Sequence, residues 1–221
     1  MSSYRYRFVG YEKLPSGLNA GDVELHCRLP DELVREIRNS GYAKRYHLGL
    51  AVQLSFLALT GRNADAALKM PGAMLSMLCE QLGIHSTAIA SLKSLYSNAD
   101  RTISNHRAWV REQLLFSTYD SNAEARLQAA LSQQAIDASS VDDLLACAQE
   151  WLFGSRIVLP GQRVVLDLAR SAFQVVENLA LATIRAAVTP VRLRAVLKVM
   201  HEESPTPGIS LLEWLKQSAG K

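Results

Sequence analysis

Apolar and polar positions along the chain mark out helical segments separated by short turns rich in glycine, proline or polar residues. Pro30-Asp31-Glu32 opens one predicted helix, with proline suited to a first turn and acids near the positive dipole end. Leu33, Val34 and Ile37 give it a buried face and Gly41 stops it. Ala43 to Thr60 is apolar on nearly every side, the mark of a central helix enclosed by others, and Gly61 ends it. Pro71 starts a helix with Met74, Leu75, Leu78 and Leu82 inward, closed by a Schellman-type stop at Gly83-Ile84. Ser86 or Thr87 caps a short helix reaching Tyr96, and a polar turn then leads into a helix ending near Phe116.

Further along, Ser121-Asn122 opens a helix through about Gln134, and Ser140 with Asp143 caps one through Trp151. Residues 153–161 read as a connector. A long helix is predicted from Gln162 to Val188, a shorter one after Thr189-Pro190, and a last one from Ser210 to Gln217. At the amino terminus Tyr4, Tyr6 and Phe8 alternate with Arg5 and Arg7, which suits a short strand or an extended arm, and residues 14–22 read as a loop. The fold class is therefore all-α, in two small helical domains, 1–119 and 120–221, divided near Phe116 to Asn122. Three short helices joined by tight turns over about 71–116 make a helix-turn-helix-like unit in the first domain.

The helix within Ser97–Phe116 carries the candidate chemistry. Ile103, Val110 and Leu114 share a face, with Ser104, Arg107 and Arg111 beside it and Arg101 at the amino-terminal end. A helix that buries one side and holds out arginines with a short polar residue suits a major groove, where arginine reaches guanine edges or phosphates. Taken alone, the same pattern also fits a surface helix with solvated charges. Lys44, Arg45 and His47 lie at the start of the central helix, where cations oppose the dipole and suggest a phosphate; for His47 an exposed helix end explains the position as well.

Charge is more telling in its distribution than in its net value of +3. Between Ser121 and Glu150 Arg126 is the sole base among five acids, whereas Trp151–Met200 has seven bases against Asp167 and Glu177. Two surfaces with different partners follow from that contrast. Cys27, Cys79 and Cys147 form no CxxC pair and read as reduced thiols of a cytosolic protein. No signal peptide is evident, and Leu48–Thr60 is too short and too interrupted to span a bilayer. Metal-spaced Cys/His clusters, glycine-rich phosphate loops and nucleophile motifs are all missing, so the residues point to binding rather than catalysis.

The order of segments also resembles the amino-terminal region of TnpA transposases of the Tn-three transposon family. Leu48-Gly49, Ala51, Gln53-Leu54, Leu57 and Thr60-Gly61-Arg62 are similar to an LGxAxQLxxLxxTGR-like helix. Pro71 with Glu80-Gln81-Leu82-Gly83, then Arg101-Thr102 with His106-Arg107 and Arg111, follow in the same order. Ile157-Val158-Leu159-Pro160-Gly161 and Leu211-Leu212-Glu213-Trp214-Leu215 match later pieces, so the resemblance runs from about residue 24 to the end. Departures occur at Ile103-Ser104-Asn105, where the family is arginine-rich, and at Leu114-Leu115-Phe116, where it has a glycine-containing turn.

The resemblance implies a fragment that binds the terminal inverted repeats of a transposon. Phosphoryl transfer would belong to a carboxylate triad further along the longer protein. No cofactor is expected in this fragment, and Mg²⁺ only in the catalytic region. Expected DNA contacts are Lys44, Arg45, Arg62, Arg101, Ser104, Asn105, His106, Arg107 and Arg111 in one unit. Arg156, Arg163, Arg170, Arg192 and Arg194 make up the second. Expected partners are double-stranded DNA, the rest of the transposase and a second copy of the full-length protein, and the expected location is the bacterial cytoplasm, in association with the nucleoid. The alternative is a helical protein-interaction or dimerisation module of the transposase.

Overall fold

A computed structural model describes residues 7–65, 70–85, 96, 100–201 and 208–218. Among them the regular structure is helical, with an isolated parallel bridge between Ser117 and Ile157. The helices are α1 (Ala20–His26), α2 (Asp31–Asn39), α3 (His47–Thr60), α4 (Gly72–Leu82), α5 (Asp100–Leu114), α6 (Ser121–Gln134), α7 (Val141–Gly154), α8 (Gln162–Ala187), α9 (Pro190–Met200) and α10 (Leu211–Ser218). A 3-10 turn, Lys44–Tyr46, leads into α3. The helix expected at 87–96 lies outside the described residues apart from Tyr96, as does the start of the amino-terminal arm at residues 1–6. No helix among the described residues is long and apolar enough to cross a membrane.

Helix α3 is the centre of the first unit: 12 of its 14 residues are buried, polar Gln53 and Ser55 among them. Such a helix needs neighbours all round, and α2, α4 and α5 pack against it. Its end is set by Gly61, whose φ of 71° is cheap only without a Cβ. Helix α4 closes as its sequence suggests, with Gly83 N–H donating to Glu80 O (3.1 Å) and Ile84 N–H to Cys79 O (2.9 Å). The Ser140 and Thr189 hydroxyls accept from Asp143 N–H (3.1 Å) and Arg192 N–H (3.4 Å), capping α7 and α9. Helix α1 begins at Ala20, inside the stretch 14–22 expected as a loop. Asn19 caps it by accepting from Asp22 N–H at 2.8 Å, and burial of Val23 and Cys27 holds it.

Two compact units divide the chain, 1–173 and 174–221, so residues 119 and 120 both lie inside the first. The reason is covalently distant pairing. Ser117 N–H donates to Arg156 O (2.8 Å), Val158 N–H to Ser117 O (2.9 Å) and Leu159 N–H to Gly61 O (2.8 Å). These bonds tie α6 and α7 to the helices around α3. The second unit holds the distal half of α8 with α9 and α10, and its residues 174–187 and 190–199 are exposed apart from half-buried Val176.

Candidate nucleic-acid interface

The inward face of α5 runs through His106 and Val110, which are 0% and 1% exposed. Ile103 and Leu114 are only half-buried. His106 sits about 60° from Ile103 around a helix, so the helix is turned by some tens of degrees from the Ile103-centred face. The cause is a polar cluster. Gln53 Nε2 donates to the Tyr96 hydroxyl oxygen at 2.8 Å, and that hydroxyl meets His106 Nδ1 at 2.7 Å. Tyr42 and Tyr46 pack edge-on to the imidazole, with centroids 4.3 and 5.3 Å away. Burial lowers the His106 pKa from 6.5 to about 4 and raises that of Tyr96, so both groups are neutral at pH 7.

Several predicted contacts are corrected by this geometry. His106 is not an outward DNA contact, because the cluster encloses it. Arg62 is 7% exposed; its Nε donates to Gly10 O (3.0 Å) and its Nη1 to Pro160 O (2.6 Å), and desolvation lowers its pKa. It clamps two loops to the end of α3. Arg107 is half-buried, with Nη2 donating to Ala64 O at 2.7 Å and Nε enclosed without a partner among the described residues. Its side chain reaches along the fold rather than out from it. His47, too, is buried and bonds Tyr42 O at 3.0 Å.

Other candidates do face solvent. Lys44, Arg45, Arg101, Ser104 and Asn105 are exposed, and Arg111 is half-buried. The Arg45 guanidinium lies 4.8 Å from the Tyr46 ring centroid. Tyr42 packs against both His106 and Trp109, so the 42–46 segment is brought alongside α5 and carries Lys44 and Arg45 with it. None of Lys44, Arg45, Arg101 and Arg111 has a carboxylate partner among the described residues, whereas Arg7, Arg28 and Arg35 each do. Arg156 is exposed, at a φ of 55°, with its guanidinium 5.2 Å from the Phe116 ring centroid. Arg163 and Arg170 share Asp167, each at 3.7 Å, in exposed pairs that hold little energy. Arg192 and Arg194 are exposed on α9 in the second unit.

Sequence reasoning missed the clamping role of Gln81. Its side chain donates to Leu29 O (2.9 Å) and accepts from Leu29 N–H (3.1 Å), fixing the α1–α2 turn on α4. A glutamine on the inward side of an apolar helix was the available signal. Among the described residues no group of three or more His, Cys, Asp or Glu side chains is arranged to hold a metal.

A family profile described as a domain of unknown function, DUF4158, matches residues 9–172. The chain belongs to the DUF4158 family. The matched DUF4158 span ends beside the division between the two units, so the family's domain corresponds to the first of them. Over 221 residues the chain is also 26% identical to the transposase for insertion sequence element IS1071 in transposon Tn5271, from Comamonas testosteroni. That match takes in all of this chain and 22% of the transposase, so the DUF4158 chain is related to a transposase and spans about a fifth of its length.

Proposed function

We propose that this chain binds double-stranded DNA as the part of a replicative transposase that recognises the terminal inverted repeats of its element, with strand cutting carried out elsewhere in the longer protein. The observation that carries the reading is the juxtaposition of the 42–46 segment and α5. Lys44 and Arg45 on that segment, and Arg101, Ser104 and Asn105 on α5, are all exposed, and the three cations have no carboxylate partner among the described residues. Cations left unneutralised beside short hydrogen-bonding side chains suit a phosphate backbone with base edges behind it. Arg111, Arg156, Arg163 and Arg170 are further cations of the first unit, and the second unit has exposed Arg192 and Arg194 of its own.

The test is a fluorescence anisotropy titration of a duplex enriched from a randomised library against its scrambled counterpart, at several salt concentrations. Five neutralised phosphates give a log–log slope of about −4.5, roughly a 500-fold loss of affinity between 50 and 200 mM salt. Equal, salt-insensitive affinity for the two duplexes would refute the reading.

A second reading is favoured by the second unit. Nine large apolar side chains between Val175 and Val199 are 48–75% exposed, among them Leu179, Ile184, Val191 and Val196. Apolar surface gathered in this way suits a protein partner, the remainder of the transposase or a second copy. Sedimentation without DNA tests the second copy: a tight dimer that does not bind the enriched duplex would replace DNA binding with association as the main role.

A further inference from the structure

We propose that His106 is a positioning residue which, through Tyr96 and Gln53, fixes the rotation of α5 about its own axis and so decides which side chains meet the duplex. The inference rests on the DNA-binding reading above and adds to it how the reading face is set. Gln53 belongs to α3 and His106 to α5, and the Tyr96 hydroxyl bridges them at 2.8 and 2.7 Å. Because Gln53 Nε2 donates to the phenol oxygen, the phenol proton is left to donate to His106 Nδ1, which puts the imidazole proton on Nε2. The bridge needs space beside α3, and Gly49 leaves it: a Cβ there would lie 2.6 Å from the Tyr96 hydroxyl oxygen.

This cluster is a poor way to gain stability. His106 Nε2 and Gln53 Oε1 are both enclosed and have no hydrogen-bond partner among the described residues. An apolar pair would pack α5 on α3 without that desolvation cost. A directional bond supplies what an apolar contact lacks, a single rotational setting. The setting matters because adjacent helical residues point about 100° apart. A turn of one position would carry Asn105 inward and expose His106. The imidazole also packs in T-shaped contact with Tyr42 and Tyr46, which flank Lys44 and Arg45. One buried ring therefore registers both cation-bearing segments against each other.

Tyr96→Phe removes the bridging hydroxyl and keeps the ring. Its affinities for the enriched and the scrambled duplex are measured by anisotropy beside those of the wild type. The expected result is at least a tenfold loss for the enriched duplex, with scrambled affinity within twofold. A fall by the same factor on both duplexes is what a smaller folded fraction would produce, and it overturns the proposal, as does an unchanged preference. Should Tyr96→Phe fail to fold, Gln53→Met is judged by the same split. Nitrogen NMR of the wild type supplies an independent check: an unprotonated, hydrogen-bonded Nδ1 at His106 is expected, and a mixture of tautomers overturns the assignment. A wild type without preference between the duplexes would instead sink the DNA-binding reading itself, so the two failures are distinguishable.

Discussion

Acidification should weaken the fold through His106, and the size of the effect follows from its enclosure. The ring is 0% exposed and burial pulls its pKa from 6.5 to about 4. In the unfolded chain an imidazole titrates near ~6.5. Between those two values the unfolded state takes up a proton that the folded state refuses, so stability falls as pH drops through 6.5 and levels off below about 4. A gap of roughly 2.5 pH units at ~1.36 kcal/mol each sets a ceiling of about 3 kcal/mol. Urea unfolding followed by far-UV circular dichroism, from about pH 7.5 to about pH 4.5, gives the stability at each pH. The same series on His106→Gln removes the imidazole and leaves every other titrating group in place. The wild type should lose more stability than the variant on acidification, by up to that ceiling. Parallel pH profiles for the two proteins would refute the claim that a neutral, enclosed imidazole joins α5 to α3.

Two further perturbations separate fold from interface. Arg62→Met leaves the carbonyls of Gly10 and Pro160 without their charged donor. It should cost about 2–4 kcal/mol in urea unfolding while the affinity of the folded protein for DNA stays within about twofold; unchanged stability with weakened binding would return Arg62 to the interface. Leu115 takes a φ of 57° while 81% exposed, so Leu115→Gly relieves the backbone with little contact to lose. A gain of about 0.5–1 kcal/mol is expected, read as a raised urea midpoint, and a loss would show that the side chain holds something in place.

Helix ends were the most legible part of the chain. Gly61, Gly83, Ser140 and Thr189 act locally, through left-handed backbone or a side-chain cap a few residues away, and each stands where its residue type suggests. Helix α1 escaped because seven residues hold too few turns for a periodic signal, and Gly17 and Gly21 point to a loop. The apolar residues of α5, Ile103 among them, predict one facing, whereas the structure buries a histidine. Nothing near His106 in sequence announces Gln53, whose link runs through Tyr96. Many of the polar residues that carry the family resemblance turn out to be internal clamps: Gln53, Arg62, Gln81, His106 and Arg107 all bond other segments. Polar residues in a motif invite a reading as ligand contacts, and here hydrogen bonds to other segments tie these five to the fold. Lys44, Arg45 and Arg101, which carry the proposed interface, are plain exposed cations. Their significance comes from standing exposed without a carboxylate partner among the described residues, which periodicity along one helix does not register.

The most direct test of the proposed interface is the salt dependence of DNA affinity in the triple variant Lys44→Ala, Arg45→Ala, Arg101→Ala. If these three cations each neutralise a phosphate, the log–log slope should become shallower than that of the wild type by about 2.7. An unchanged slope, with binding otherwise intact, would place the DNA on another surface and contradict the account.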